Sequence, residues 1–197
     1  RAGARREVLG PVDVALVVES ALAVVRSLIP SHVKVTSTVG PRVGVRARED
    51  LLVQALVNLI TNAVQAVPLD RNGLVTISAK SVGRRIVLVV EDNGMGMSAE
   101  ISHRVFEPFF TTKEPGVGTG LGLSVTLGII RSLGGEVVIE SEPGVGTRVS
   151  VDLRADRPSL TPTIAARISS VPPLAMLRVL VVDDESAVRD APAHAEA

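Results

Sequence analysis

The chain has 197 residues, enough for one well-buried domain with additional segments but hardly for two complete domains. Hydrophobic residues make up 46% and charged residues 21%, and Lys and Arg balance Asp and Glu at 21 each, which argues against disorder and against a nucleic-acid partner. Cysteine is absent, so disulfides and thiolate metal sites are excluded and a reducing, cytoplasmic compartment is expected.

The apolar stretches are short and interrupted by charged residues, so we predict no transmembrane span, no signal peptide and no membrane contact by this segment. The first residue is Arg1 rather than Met, and we therefore expect the chain to be a piece of a longer, potentially membrane-anchored protein. Any targeting segments are then expected elsewhere in that protein.

The first half of the chain predicts two helices and four strands. In chain order these are a helix at 13–29, strands at 33–39 and 43–47, a helix at 49–67, and strands at 74–81 and 85–91. Apolar residues recur at helical spacing in both helices; Asp13 can cap the first, and Pro30 and Pro68 end them. The last two strands alternate apolar and polar residues around Gly83, which is typical of a hairpin.

The second half predicts a short helix at 98–105, a longer helix at 121–133, and strands at 137–141 and 147–153. The longer helix ends at Gly134 and Gly135, and turn residues around Pro143 join the two strands. Helices and mostly antiparallel strands in this order predict an α/β fold. Its architecture would be a two-layer α/β sandwich, with helices packed on one face of a mixed, mostly antiparallel sheet.

The composition changes after Leu153. Residues 154–176 carry several prolines with Ser and Thr, the composition of a linker. An apolar strand in LRVLVVDDES then ends in Asp183 and Asp184. We therefore divide the chain into a domain at 1–153, a linker at 154–176, and a segment at 177–197 that either starts another domain or is a disordered tail.

All three aromatic residues fall in the run FEPFFTTK at 106–113, and the glycine-rich stretch GVGTGLGLS at 116–124 follows it. Repeated glycines let a backbone approach a ligand, and a helix starting there would present its N-terminus to an anion, so we predict a phosphate site. Phe109 and Phe110 are expected to anchor the base of the loop, and Lys113 to offer a cation. Glycine-rich loops are common, however, and this one fits neither a P-loop nor a dinucleotide fold.

The second predicted helix carries Asn58 and Asn62 on one face. Because an unpartnered amide is costly against a core, we expect the pair to line a polar pocket at the edge of the sheet. Carboxamide oxygens there would suit Mg²⁺. The alternative is a pair of solvated or helix-capping asparagines.

The segment DNGMGM places Asp92 after an apolar strand and before Gly94 and Gly96. A carboxylate held there can accept a hydrogen bond from an exocyclic amino group such as that of adenine, and the glycines leave room for the ring. The alternative is an ordinary Asp-Asn-Gly turn.

Each motif alone is common, but their occurrence together in one order is specific. In order, NLITNAVQA, EDNGMGM, FEPFFTTK, GVGTGLGLS and GGEVVIESEPGVGT resemble the asparagine, phenylalanine and three glycine boxes of the ATP-binding catalytic domain of sensor histidine kinases. The resemblance covers residues 8–153. It implies the Bergerat fold of the GHKL superfamily, which also includes type II topoisomerases, heat-shock ATPase chaperones and mismatch-repair ATPases.

The resemblance also implies roles for the matching residues. Asn62 would ligate Mg²⁺, and Asn58 would support the metal or a phosphate and act in catalysis with Lys113. Asp92 would bind the adenine amino group. The remaining ATP contacts would come from glycines beside the base and from the loop that closes on the phosphates: Gly94, Gly96, Gly118, Thr119, Gly120, Leu121 and Gly122, with Lys113.

The chain departs from the family pattern in two places. Many members have a basic residue three positions after the second asparagine, whereas this chain has the neutral Gln65. No histidine lies in a helical His-Glu or His-Asp context; His32, His103 and His194 are expected to be surface or structural residues. We therefore expect no self-phosphorylation. The partners would be a histidine-containing dimerisation domain and a response regulator or receiver domain.

The segment LRVLVVDDES resembles the first strand and acidic pair of a receiver domain, in which Asp183 and Asp184 would hold Mg²⁺. No phosphoacceptor Asp follows before Ala197, and Pro192 interrupts the expected helix. The resemblance therefore implies a truncated receiver start, as in a hybrid kinase.

The leading function is the catalytic domain of a sensor histidine kinase, which positions Mg-ATP for transfer of its γ-phosphoryl group. A hydrolytic ATPase of the topoisomerase or chaperone type is the alternative. Those relatives carry a Glu where this chain has Asn58, and an amide is a poor general base. A non-catalytic nucleotide-binding module is the third possibility.

Overall fold

The computed structural model describes residues 9–40, 43–113 and 118–156, which form four α-helices and seven β-strands. The helices are α1 (Val14–Val25), α2 (Glu49–Gln65), α3 (Ala99–Arg104) and α4 (Gly122–Ser132). The strands are β1 (Gly10–Asp13), β2 (Val33–Ser37), β3 (Gly44–Ala47), β4 (Gly73–Val82), β5 (Arg85–Asp92), β6 (Glu136–Glu142) and β7 (Gly146–Arg154).

The main sheet has five strands in the order β2-β4-β5-β7-β6. β2 runs parallel to β4, and the other neighbouring pairs are antiparallel. β1 and β3 form a separate antiparallel pair. The mixed, mostly antiparallel sheet is thus confirmed. β1 differs from the predicted elements, because Gly10 and Pro11 disfavour strands and hide its pattern.

Helices cover one face of the main sheet and bury an aliphatic core against it. β5 shows why: its residues alternate between buried and less buried positions, so one face points to the core and the other to solvent. The largest fully buried side chains are all aliphatic and come from both layers: Leu52, Leu56, Ile60, Ile77, Leu88, Ile130 and Leu153. The predicted two-layer sandwich is confirmed.

The first helix starts as predicted but ends one turn early. The Asp13 carboxylate accepts a hydrogen bond of 2.9 Å from the Ala15 N–H and caps the N-terminus. α1 ends at Val25, and a 3₁₀ turn follows at Arg26–Leu28. The residue before a proline is driven out of the helical region, and Ile29 is accordingly extended.

The last strand runs slightly past the expected end of the domain. β7 ends at Arg154, and Ala155 forms an isolated bridge with Val45. The predicted remainder of the linker and the final segment, residues 157–197, lie outside the described residues, so those boundaries stay predictions.

Candidate functional site

The N-terminus of α4 lies against the face of α2 that carries the two asparagines. The Asn58 amide nitrogen donates to the Gly122 carbonyl over 3.3 Å. A Cβ atom at Gly122 would lie 3.6 Å from the Asn62 amide nitrogen, so the backbone of α4 passes close to both side chains. Both asparagines are half-buried. They therefore lie at the edge of the core, and neither is a helix cap.

The same carbonyl has a second donor that sequence analysis missed. The fully buried Thr126 hydroxyl donates to the Gly122 carbonyl over 2.8 Å. Its only signal in the sequence is its spacing: of the three hydroxyl residues in this helix, it is the one that lies four residues after Gly122, within reach of that carbonyl. The Asn58 bond joins the first turn of α4 to α2, and the Thr126 bond lies within α4 itself.

Lys113 reaches the same face of α2 through Gln65. The Lys113 ammonium donates to the Gln65 side-chain oxygen. Gln65 lies three residues after Asn62 and seven after Asn58, so all three polar side chains share one face. Burial lowers the pKa of Lys113 because the charged form loses hydration. Gln65 thus holds the Lys113 ammonium against this face of α2.

Gly118 lies on the other side of this lysine. A Cβ atom there would stand 2.7 Å from the Thr111 hydroxyl oxygen and 3.1 Å from the Lys113 side chain. The Thr111 hydroxyl also accepts a hydrogen bond of 3.1 Å from the Lys113 N–H. The absence of a side chain at residue 118 lets the loop close onto Lys113.

Asp92 ends β5 in a buried position, with 8% of its surface exposed. Its carboxylate accepts a 2.8 Å hydrogen bond from the Gly94 N–H. Burial raises the pKa of Asp92, and the N–H groups of Gly94 and Thr147 only partly oppose this rise. A buried acceptor with lone pairs to spare is suited to a ligand that donates a hydrogen bond.

The two glycines after Asp92 are required by backbone contacts. A Cβ atom at Gly94 would lie 2.5 Å from the Ala66 carbonyl oxygen, at the end of α2. Gly96 has a φ of 62°, and a Cβ atom there would lie 1.9 Å from the Glu142 carbonyl oxygen. The turn therefore fits between the end of α2 and the end of β6.

We expect Gly96→Ala to destabilise the domain by at least about 1–3 kcal/mol, the usual cost of left-handed backbone strain, with the steric clash adding to it. Gly128 in α4 is the matched control, because a Cβ atom there has nothing within 4 Å. Gly128→Ala should stabilise the helix by up to about 1 kcal/mol. Urea unfolding of both variants measures the difference. Equal midpoints would contradict the close contact at Gly96.

The phenylalanine run differs from the expectation. Phe109 does not anchor the loop with its side chain, which is 75% exposed, and its φ of 67° is unusual for an aromatic residue. Its N–H instead donates to the Gly120 carbonyl over 3.0 Å. Phe110 is half-buried, with the Arg104 guanidinium 4.4 Å from its ring centroid. The base of the loop is therefore closed by backbone contact.

Gly120 makes that closure possible, because a Cβ atom there would lie 2.4 Å from the Phe109 carbonyl carbon. The Thr119 hydroxyl accepts a hydrogen bond of 3.4 Å from the Leu121 N–H, just before α4 begins, and Leu121 is 36% exposed. Gly116 lies outside the described residues.

The predicted site residues thus form two groups joined by α2. One group surrounds the start of α4, and the other surrounds the turn after β5, which contacts Ala66 directly: the Met95 N–H donates to the Ala66 carbonyl over 2.9 Å. Within the described ranges no group of three or more His, Asp or Glu side chains could hold a metal ion. The predicted site residues within these ranges offer amides, one cation, one carboxylate and backbone N–H groups.

A family model described as histidine kinase-, DNA gyrase B-, and HSP90-like ATPase matches residues 47–157. The chain belongs to this ATPase family. The matched region contains both groups of the site and all of the strands from β4 to β7. In this family the domain binds ATP.

Sensor kinases are prominent among the relatives. The chain is 37% identical over 162 residues to the sensor kinase CckA of Brucella abortus, covering 69% of this chain and 16% of that protein. A mycobacterial sensor histidine kinase, MprB, superposes with a TM-score of 0.67 at 27% identity, covering 75% of this chain and 98% of the other. Full-length ShkA in complex with AMPPNP gives a TM-score of 0.67 at 26% identity, covering 77% and 32%.

The chain therefore holds a catalytic domain of the sensor histidine kinase type. It spans less than a quarter of the length of the sensor proteins CckA and DctB that it matches. Among the described helices none is long and apolar enough to cross a bilayer.

Proposed function

We propose that this chain binds Mg-ATP and transfers its γ-phosphoryl group to a histidine on a separate helical dimerisation domain. The observation that carries the proposal is the arrangement at the start of α4. There the half-buried amides of Asn58 and Asn62 and the Gln65-bound ammonium of Lys113 face a glycine-lined helix N-terminus. Helix N-termini and cations both favour phosphate oxygens.

The two groups of the site would bind opposite ends of the nucleotide. Asp92 lies beside Ala66 and would accept from the adenine amino group, while the phosphates would extend toward Asn58. Eight residues of α2 separate positions 58 and 66, a distance of about 12 Å along the helix axis. In support, the related ShkA was crystallised in complex with AMPPNP, a nucleotide.

Mg²⁺ fits the donors present. The described residues offer amide oxygens rather than a carboxylate cluster. Mg²⁺ is suited to this, because it keeps several waters and takes its other ligands from substrate phosphates. The Asn58 amide nitrogen is occupied by Gly122, which leaves its oxygen free to act as a ligand, and Asn62 has no hydrogen-bonded partner for its side chain among the described residues. When bound, the metal would neutralise charge on the phosphate oxygens.

The donor set favours transfer to a protein over hydrolysis. In transfer, a histidine nitrogen bonds to the γ-phosphorus, the bond from that phosphorus to the bridging oxygen breaks, ADP leaves, and the imidazole passes its remaining N–H proton to water or to a base of the acceptor domain. No base on this chain is needed for that attack. Hydrolysis requires activation of water, and Asn58 is an amide that donates to Gly122 and is no base.

The direct test is phosphotransfer from labelled ATP to a separately purified helical domain that carries the phosphoacceptor histidine. We expect acid-labile label on that domain only when both proteins, Mg²⁺ and ATP are present. The absence of transfer despite measured ATP binding would contradict the proposal. Rapid release of phosphate without any acceptor would favour a hydrolytic ATPase instead.

Lys113→Met should weaken ATP binding by about tenfold, because a charge-assisted hydrogen bond to phosphate is lost from a partly exposed site. Affinity for adenosine, which has no phosphates, should stay the same. Lys80→Met is the control, since Lys80 is an exposed lysine near the far end of β4. Calorimetric titration with both ligands measures the effect. Equal losses for ATP and adenosine would rule out a phosphate contact.

The larger protein is part of the same proposal. Residues 154–176 would link the kinase domain to a receiver domain that begins at 177, with Asp183 and Asp184 as its metal-binding pair. A response regulator or that receiver would take the phosphoryl group from the histidine. The domain would work in the cytoplasm, where ATP is available.

A further inference from the structure

One arginine outside every predicted motif contacts three carbonyl groups at the base end of the site. Arg71 lies in the connection between α2 and β4. Its Nη1 atom is 2.7 Å from the Asn93 carbonyl oxygen, 2.9 Å from that of Gly94 and 3.1 Å from that of Gly144. Hydrogen bonds from a charged donor are stronger than neutral ones, so this contact is a substantial constraint.

The three carbonyls belong to two different turns. Asn93 and Gly94 follow Asp92 in the turn after β5, and Gly144 lies in the turn between β6 and β7. One guanidinium therefore joins the turn that carries the adenine carboxylate to a turn about fifty residues later in the chain. The Gly144 N–H also donates to the Met95 carbonyl over 2.7 Å.

Asn93 reinforces the same junction. Its side-chain oxygen accepts a hydrogen bond of 2.7 Å from the Leu74 N–H, and its amide nitrogen donates to the Asn72 carbonyl over 3.0 Å. Two side chains thus join the short segment before β4 to the turn after β5. Arg71 donates to carbonyls of that turn, and Asn93 of the turn donates to the Asn72 carbonyl. The turn after Asp92 is therefore held both by β4, through Leu74, and by the connection before it, through Arg71 and Asn72.

We infer that Arg71 is a positioning residue for the base of the nucleotide: it holds the turn after β5 in the conformation that directs Asp92 at adenine. The inference rests on the nucleotide site proposed above and deepens it. Arg71 does not itself touch the nucleotide. When the turn is already ordered, no conformational entropy is lost in ordering it as the base binds. Loss of Arg71 therefore weakens recognition of the base specifically.

The test compares Arg71→Met and Arg71→Lys with the unaltered chain. Arg71→Met should weaken ATP binding by about tenfold, the order of one lost charged hydrogen bond. It should also reduce the preference for ATP over GTP. Affinity for Mg²⁺-tripolyphosphate, which has no base, should stay unchanged. Arg71→Lys keeps the charge on a shorter side chain and should restore part of the lost affinity.

Arg85→Met is the matched control. Arg85 pairs with Asp152 over 2.7 Å at the opposite end of β5 and should not affect ATP affinity. A double-mutant cycle adds a second readout. If Arg71 acts through Asp92, Arg71→Met should cost little further affinity in an Asp92→Asn background. Additive losses would overturn the inference.

Two other outcomes would also overturn it. Unchanged ATP affinity in Arg71→Met would do so while leaving the proposed function intact, and so would equal losses for ATP and tripolyphosphate. Failure of the unaltered chain to bind ATP would instead remove the proposed function and this inference together. If Arg71→Met does not fold by urea titration, Arg71→Lys and the ATP-to-GTP preference still decide the question.

Discussion

Replacing Asp92 with Asn is expected to remove most nucleotide affinity while leaving the domain folded. The change replaces one carboxylate oxygen with an amide nitrogen. Two hydrogen-bond donors, this nitrogen and the adenine amino group, would then face each other. Loss of a hydrogen bond to a charged acceptor costs about 1.5–3 kcal/mol, or roughly 10–150-fold in affinity. Titration with ATP measures the loss, and an unchanged affinity would exclude Asp92 from the base site.

The same variant should be no less stable than the unaltered chain at neutral pH. Burial raises the pKa of Asp92 above its ordinary value of 3.8. The folded domain therefore loses stability as pH rises from that value through the raised folded-state pKa, because ionisation is more costly in the folded state. Asn has no such cost. Thermal unfolding of both ligand-free proteins at several pH values tests this, and a much lower midpoint for the Asn variant would contradict it.

Asn62→Ala is expected to reduce phosphotransfer by about 100-fold or more, the scale of losing one preorganised electrostatic contact to a reacting group. Alanine favours helices, so α2 should remain intact. The defect should depend on the metal: ATP affinity should fall in Mg²⁺ and stay the same in EDTA. Radiolabel transfer and calorimetry in the two buffers measure these effects.

Glu49→Ala is the control for that experiment, because Glu49 is exposed in the first turn of the same helix, thirteen residues before Asn62 and on the face opposite Asn58. It should leave transfer and ATP affinity unchanged. If Asn62→Ala weakened ATP equally in EDTA, Asn62 would contact the nucleotide directly rather than through the metal.

The elements that agree with the prediction are those that a single local pattern determines. Periodicity located α2 and the β4–β5 hairpin, and the Asp13 cap and the Gly134 stop both occur as predicted. It also placed Asn58 and Asn62 on one face, since helical spacing alone settles that question.

Contacts between segments that are distant in the sequence could not be predicted from local patterns. The pairing of β1 with β3 depends on residues more than thirty positions apart, and neither strand is long enough to show a period. The hydrogen bond from Lys113 to Gln65 and the contacts of Arg71 likewise join separate loops. Phe109 was misjudged because aromatic residues are usually buried, whereas here the backbone of that residue makes the contact.

Gly96 and Gly146 lie in two turns that each prevent a larger residue in the other. Each turn places a carbonyl where the other glycine would carry a Cβ atom: Glu142 faces Gly96, and Asp92 faces Gly146 at 2.0 Å. Because the obstruction is main chain, no side-chain change elsewhere can compensate for a larger residue at either position. Both should stay invariant among natural variants, whereas Gly83, with open space around it, is free to drift to Asn.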